Sequence, residues 1–85
     1  MARPVNADAD ATRQRIVESA LTLFAERGAG ASPIREIAGR AGVSLAMVHH
    51  YFGNKEGLYA ACVEAMYEDL ARLRERVTAE LENVR

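Results

Sequence analysis

Eighty-five residues are enough for one small domain with a modest core, and 49% hydrophobic against 27% charged residues marks a folded globular chain, not a disordered one. No apolar run reaches membrane-span length, the first ten residues lack the apolar stretch of a secretory signal, and the single cysteine, Cys62, has no internal disulfide partner, so the chain reads as cytoplasmic. The net charge of −1 is unevenly placed: residues 1–55 carry seven Lys/Arg and five acids, residues 56–85 four Arg and seven acids, so the first part approaches phosphates more readily than the second.

Residues 1–9 lack periodicity and read as a flexible arm. Asp10 or Thr12 is placed to cap a first helix running to about Arg27, with Ile16, Val17, Ala20, Leu21 and Phe24 on one apolar face. Gly28 ends it, in the left-handed conformation expected at a C′ position, and Ala29-Gly30-Ala31 forms a short loop. Ser32-Pro33 is a start signal, a hydroxyl at N-cap and proline at N1. The second helix then spans about Pro33 to Ala41, buries Ile34, Ile37 and Ala38, and stops at Gly42. Ser44 caps a third helix of about Leu45 to Tyr51, with Val43 and Val48 turned inward and Phe52 expected to close the core with Phe24 and Ile37.

Asn54 caps a fourth helix that runs on without Gly or Pro after Gly57. Its apolar positions extend from Leu58 through Val84, and from Leu70 onward nothing in the sequence is left to cover them. The organisation expected is an arm at 1–9, a helix-turn-helix domain at 10–54, and a linking helix at 55–85. The fold class is all-α: a three-helix bundle with a helix-turn-helix, plus a long fourth helix.

Helices two and three around Gly42-Val43 form the helix-turn-helix, and Ala38 is small enough for them to cross closely. The third helix leaves Leu45, Ala46, Met47, His49 and His50 outside the core. Small and apolar groups suit thymine methyls, and histidine suits base edges or phosphate. Such a helix fits the major groove of double-stranded DNA.

The runs Arg15-Ile16…Ala20…Leu23-Phe24-Ala25-Glu26-Arg27-Gly28, Ile37-Ala38…Ala41-Gly42-Val43-Ser44 and Tyr51-Phe52-Gly53-Asn54-Lys55-Glu56-Gly57-Leu58 together resemble the N-terminal domain of the TetR (tetracycline-repressor) family of bacterial transcriptional regulators. Each run alone is weak; their order and spacing over roughly residues 12–66 are specific. The resemblance implies a homeodomain-like, three-helix DNA-binding head, with the fourth helix leading to a domain that binds a small effector and dimerises. It implies a regulator, most readily a repressor, that binds a palindromic operator as a homodimer and is released by that effector.

Carried over by position, the resemblance implies base reading by Arg35, Ser44, Leu45, Ala46, Met47 and His50, and phosphate contacts from Ser32, His49, Tyr51, Asn54 and Lys55. The family usually has Gly where Ala46 stands and Tyr where His49 stands. No ligand domain follows Arg85, so the chain is expected to be a truncated form.

The alternative reading is a helical interaction module that dimerises through residues 70–84. An enzyme is disfavoured, because no nucleophile–base pair, metal spacing or phosphate loop is visible. No cofactor or metal is expected: His49 and His50 point about 100° apart on a helix and chelate one ion poorly. Cys62 reads as a buried small apolar residue. Lys55, at the start of a helix whose dipole disfavours a cation, reads as a phosphate clamp.

Overall fold

A computed structural model describes residues 7–84, which form four α-helices: α1 (Ala7–Arg27), α2 (Ile34–Ala41), α3 (Leu45–Phe52) and α4 (Lys55–Asn83), with a 3-10 turn at Ala29–Ala31 between the first two. Helix α1 opens at Ala7, ahead of both expected caps. Asp8 and Asp10 already sit in its first turn, where the positive end of the helix favours carboxylates. Residues 7–9 of the expected arm are therefore helical, and residues 1–6 lie outside the described residues.

Gly28 ends α1 with φ 83° and ψ 155°, its N–H donating to the Phe24 carbonyl at 2.7 Å. The positive φ was anticipated, but the backbone is extended and not left-handed helical, a region open essentially to glycine alone. The reversal into α2 differs more. Pro33, with φ −63° and ψ 142°, occupies the N-cap position itself, and no side chain caps the helix. Ser32 is turned inward with no exposed surface, its hydroxyl near the carbonyls of Gly28 at 2.7 Å and Leu23 at 3.3 Å. It fastens the end of α1 to the start of α2 instead of capping α2.

The core is built from Ile16, Val17, Ala20 and Leu23 of α1, Ile37, Ala38 and Ala41 of α2, Val48 of α3, and Leu58, Ala61 and Cys62 of α4. Leu23 is fully buried although the expected apolar face passed through Leu21 and Phe24, which are half-buried at the rim. Both α2 and α4 pack on α1, and together they rotate its buried strip toward Leu23. Ile34, expected inside, is likewise only half-buried. Of the three residues expected to close the core, only Ile37 is fully buried. Phe24 pairs at the edge with Tyr59, ring centroids 6.0 Å apart, and the Arg13 guanidinium lies 5.1 Å from the Phe52 ring centroid.

Cys62 is 1% exposed, with its thiol 3.9 Å from the Val17 carbonyl. Burial pushes that thiol up to about 11, which disfavours the reactive thiolate and agrees with the reading of Cys62 as a core residue.

Two ion pairs tie the flank of α1 to α2: Arg27 with Glu36 at 2.7 Å and Arg40 with Glu26 at 3.1 Å. Each is partly exposed and contributes no more than about 1 kcal/mol. Beyond Ala71 every described residue of α4 is exposed. The Cα radius of gyration of 15.9 Å, against about 12 Å for a compact domain of this length, records how far this helix projects. Among the described residues no helix is long and apolar enough to cross a membrane.

Candidate nucleic-acid interface

The turn between α2 and α3 is made by Gly42, at φ 73° and ψ 31°, the left-handed conformation that favours glycine. The N–H of Val43 reaches the Ala38 carbonyl at 3.0 Å, and that of Gly42 reaches Gly39 at 3.2 Å. These bonds close α2 in a Schellman arrangement. Ser44 then caps α3, its hydroxyl oxygen accepting from the Met47 N–H at 3.1 Å. The hydroxyl proton remains available to a ligand.

Helix α3 gives only Val48 to the fully buried core. With 100° per residue, Val48 defines the inward direction, and Tyr51 and Phe52 flank it half-buried. Leu45, about 60° from Val48 by the same count, stands at 36% exposure at the edge of the exposed arc, which continues through Ala46 and Met47 in the first turn and His49 and His50 in the second. A short helix so thinly attached owes its placement to its two ends. At the far end Gly53, with φ 81°, donates to the His49 carbonyl at 2.8 Å, and Asn54 caps α4 by accepting from the Gly57 N–H at 2.8 Å. Gly57 is the tightest point of this junction: a Cβ there would lie 2.0 Å from the Phe52 carbonyl oxygen. Nothing in the local sequence signals this constraint, because it depends on where α3 ends in space.

The two histidines differ. Nδ1 of His49 lies 3.1 Å from the Gly53 carbonyl. A carbonyl only accepts, so Nδ1 is the donor and the neutral ring presents Nε2 as an acceptor. His50 instead stacks edge-on against Tyr51, ring centroids 5.4 Å apart.

Arg35 on α2 and Leu45 and His49 on α3 line one shallow groove, so the helix-turn-helix brings the expected base-reading arginine beside the outer face of α3. Arg35 has no ion-pair partner among the described residues, nor have Arg13, Arg15 and Lys55. Arg15 bonds the Ala41 carbonyl at 3.4 Å instead. Arg27 and Arg40 are neutralised by Glu36 and Glu26 on the α1–α2 flank. Residues 37–55 contain no Asp or Glu at all. Glu36 also lines the groove beside Arg35, and its carboxylate is engaged by Arg27 at 2.7 Å. Arg13, on α1 but beside the end of α3, was not singled out from sequence, since no local pattern links positions so far apart.

Of the expected phosphate contacts, His49, Tyr51, Asn54 and Lys55 cluster from the second turn of α3 to the first of α4. The Asn54 amide nitrogen stays available, because only its oxygen serves as the cap. Ser32 does not belong with them. Its hydroxyl is fully buried and committed to protein carbonyls, so the expected side-chain contact from Ser32 to phosphate is corrected: exposing that hydroxyl would undo the joint between α1 and α2.

An open helix-turn-helix module on a three-helix core is the class of protein this arrangement defines. Residues 16–62, more than half of the chain, match the family model described as bacterial regulatory proteins, tetR family, and the chain belongs to that family. It is 40% identical over 67 residues to the HTH-type transcriptional regulator BetI of Rhizobium meliloti (strain 1021), a match covering 79% of this chain and 32% of that protein. It is 46% identical over 56 residues to the HTH-type transcriptional regulatory protein RaaS of Mycobacterium tuberculosis (strain ATCC 25618 / H37Rv), covering 66% of this chain and 26% of that one. With the HTH-type transcriptional repressor KstR2 of Rhodococcus jostii (strain RHA1) it shares 35% identity over 72 residues, 84% of this chain and 35% of the repressor. The aligned segment thus amounts to about a third or less of each relative's length. No solved structure matches the chain at comparable stringency.

Proposed function

We propose that this chain is the sequence-specific DNA-binding head of a ligand-responsive bacterial transcriptional regulator. Helix α3 enters the major groove; Ser44, Leu45, Ala46, Met47 and His50, with Arg35 from α2, meet base edges. His49, Tyr51, Asn54 and Lys55 hold the phosphate backbone, Lys55 and Asn54 from the N-terminus of α4. The regulator works in the cytoplasm as a homodimer on a palindromic operator. A small effector, bound in a further domain of the kind that the longer relatives have room for, changes the spacing of the two heads and releases the DNA. Repression is the favoured outcome, in keeping with the name of the KstR2 relative.

The observation that carries this reading is the exposure of α3: a helix fastened at both ends, giving one side chain to the buried core and presenting a carboxylate-free face. Titration of the chain against duplexes from its own promoter region at moderate salt tests it. Binding is expected to weaken in the Lys55→Ala, His50→Ala double variant, with a shallower salt dependence because a phosphate contact is lost. Unchanged binding would sink the residue assignments.

The exposed stripe of α4 favours a second role in the same molecule. Leu70, Leu73, Val77 and Leu81 are 46–67% exposed, and burying them against a second copy would make residues 70–84 a dimer seam. The solution mass of the chain tests this: a stable dimer indifferent to DNA supports an interaction module over a DNA-binding head.

A further inference from the structure

The apolar residues of α4 from Tyr59 to Val84 recur at steps of three and four and stay within about 40° of one line along the helix. That line lies about 100° round from the face that packs Leu58, Cys62 and Ala65 on the head, so the head leaves it open: Tyr59 is 50% exposed, Met66 57% and Leu81 67%. Near the head the stripe has a wall. Leu21, Phe24 and Ala25 of α1 stand with Tyr59, Val63 and Met66 of α4 around one apolar groove. The groove reaches Leu70, and beyond Ala71 the stripe is a bare ridge. One helix thus carries an open groove at one end and an uncovered ridge at the other.

We propose that the groove between α1 and α4 receives the last turns of α4 from a second copy of this chain, the two helices lying antiparallel and crossing between residues 71 and 72. In that register Leu73 meets the partner's Leu70, Val77 meets the partner's Met66, Leu81 enters the groove beside the partner's Val63, and Val84 reaches the partner's Tyr59. The two-fold axis repeats every contact, as an isologous interface requires. This inference deepens the reading of residues 70–84 as a dimer seam and rests on it; it adds the head groove as the surface that receives the ridge.

Charge fits this register. One flank of the stripe carries Asp69 and Arg76, the other Tyr67 and Arg74. An antiparallel pair lays each flank against the same flank of its partner, so Asp69 meets the partner's Arg76 and Tyr67 meets the partner's Arg74. Arg74 and Arg76 have no ion-pair partner among the described residues. A parallel pair in register sets Glu80 against its own counterpart at the edge of the seam, a like-charge contact, and leaves the groove without a ridge to fill it. The area is adequate. Tyr59 to Val84 spans roughly 38 Å, and turning about half of the helix girth inward over that length buries on the order of 650 Å² per copy before the α1 wall is added, against about 800 Å² for a standard interface. Pairing depends on concentration, so the stripe is bare in dilute chain and covered above the dissociation constant.

Sedimentation equilibrium of the full chain without DNA is expected to show a dimer. At a dimeric concentration, Met66→Cys and Val77→Cys chains of distinguishable mass are mixed and treated with a short thiol-to-thiol crosslinker. Both sites are exposed, at 57% and 46%, whereas Cys62 is buried, and the unsubstituted chain supplies the blank. Crosslinks are expected between the two variants and not within either, because like positions stand about 11 residues, roughly 16 Å, out of step. Asp69→Arg is expected to weaken the dimer about tenfold, as two opposed pairs become like-charge pairs, and adding Arg76→Asp to restore it. Ala25→Glu places a carboxylate on the exposed α1 wall and should weaken the dimer about tenfold with an unchanged circular-dichroism signal. Crosslinks only within each variant, a double variant no tighter than Asp69→Arg, or a dimer indifferent to Ala25→Glu would each overturn the inference while leaving the dimer seam standing. A chain monomeric at every concentration would overturn the seam and the inference together, and leave the stripe to a further domain or another partner.

Discussion

The two halves of α4 carry the same kinds of residue in opposite circumstances. Leu58, in the first half, is completely buried among side chains of the three-helix head, whereas Leu73, four turns on, is 51% exposed. The head also has its polar groups in order, with no orphaned buried side-chain nitrogen or oxygen among the described residues. The stalk has an i, i+3 contact between Arg72 and Asp69 and little else. One continuous helix thus joins a region stabilised by tertiary burial to one held by its own backbone hydrogen bonds. The difference shows that helical periodicity marks an apolar face without saying whether anything covers it.

The sharpest test of this contrast replaces the same residue type at both places. Leu58→Ala is expected to cost about 2–5 kcal/mol, the transfer term plus an unfilled cavity, and Leu73→Ala to stay within about 0.5 kcal/mol, both by urea denaturation. Equal losses would mean that the stalk is covered in solution. Gly57→Ala tests the joint between the regions. Its new Cβ meets backbone at Phe52, which cannot swing aside, so a loss of about 1–3 kcal/mol is expected, with weaker DNA binding even at temperatures where the head remains folded, because α3 must move.

Ser32→Ala is expected to cost about 1 kcal/mol through the lost buried hydrogen bond and to leave the salt dependence of DNA binding unchanged. A reduced salt slope would restore Ser32 to the phosphate contacts. The smallest effect concerns His49. Its Nδ1 N–H is spent on Gly53, so only Nε2 can face the backbone, and His49→Ala is expected to lower duplex affinity only a few-fold in a titration at fixed salt. Unchanged affinity would remove His49 from the backbone contacts.

Much of the fold was legible because its signals are short-ranged. Ser44 and Asn54 cap N–H groups only three residues away, and Gly42 meets a backbone requirement at its own position, so each reads correctly from neighbours in the chain. The outer face of α3 is less legible locally: six of its eight residues are apolar or aromatic, and only the helix-turn-helix frame tells that Leu45, Ala46 and Met47 stay outside the core. Ser32 shows the limit. As a residue before proline it has the credentials of a cap, and from local sequence alone the cap is the better assignment. Its inward turn follows from the end of α1 passing beside it with two carbonyls within reach.

Sequence by itself therefore determined the order of helices and the stops between them, since backbone capping and side-chain periodicity act over a few residues. Tertiary structure alone decided that Leu23 and not Phe24 lies at the centre of the core, that Glu26 and Glu36 neutralise Arg40 and Arg27 while Arg35 has no ion-pair partner among the described residues, and that Gly57 admits no side chain without a clash. Each of those outcomes depends on the distance between segments remote in the chain, and only packing sets that distance.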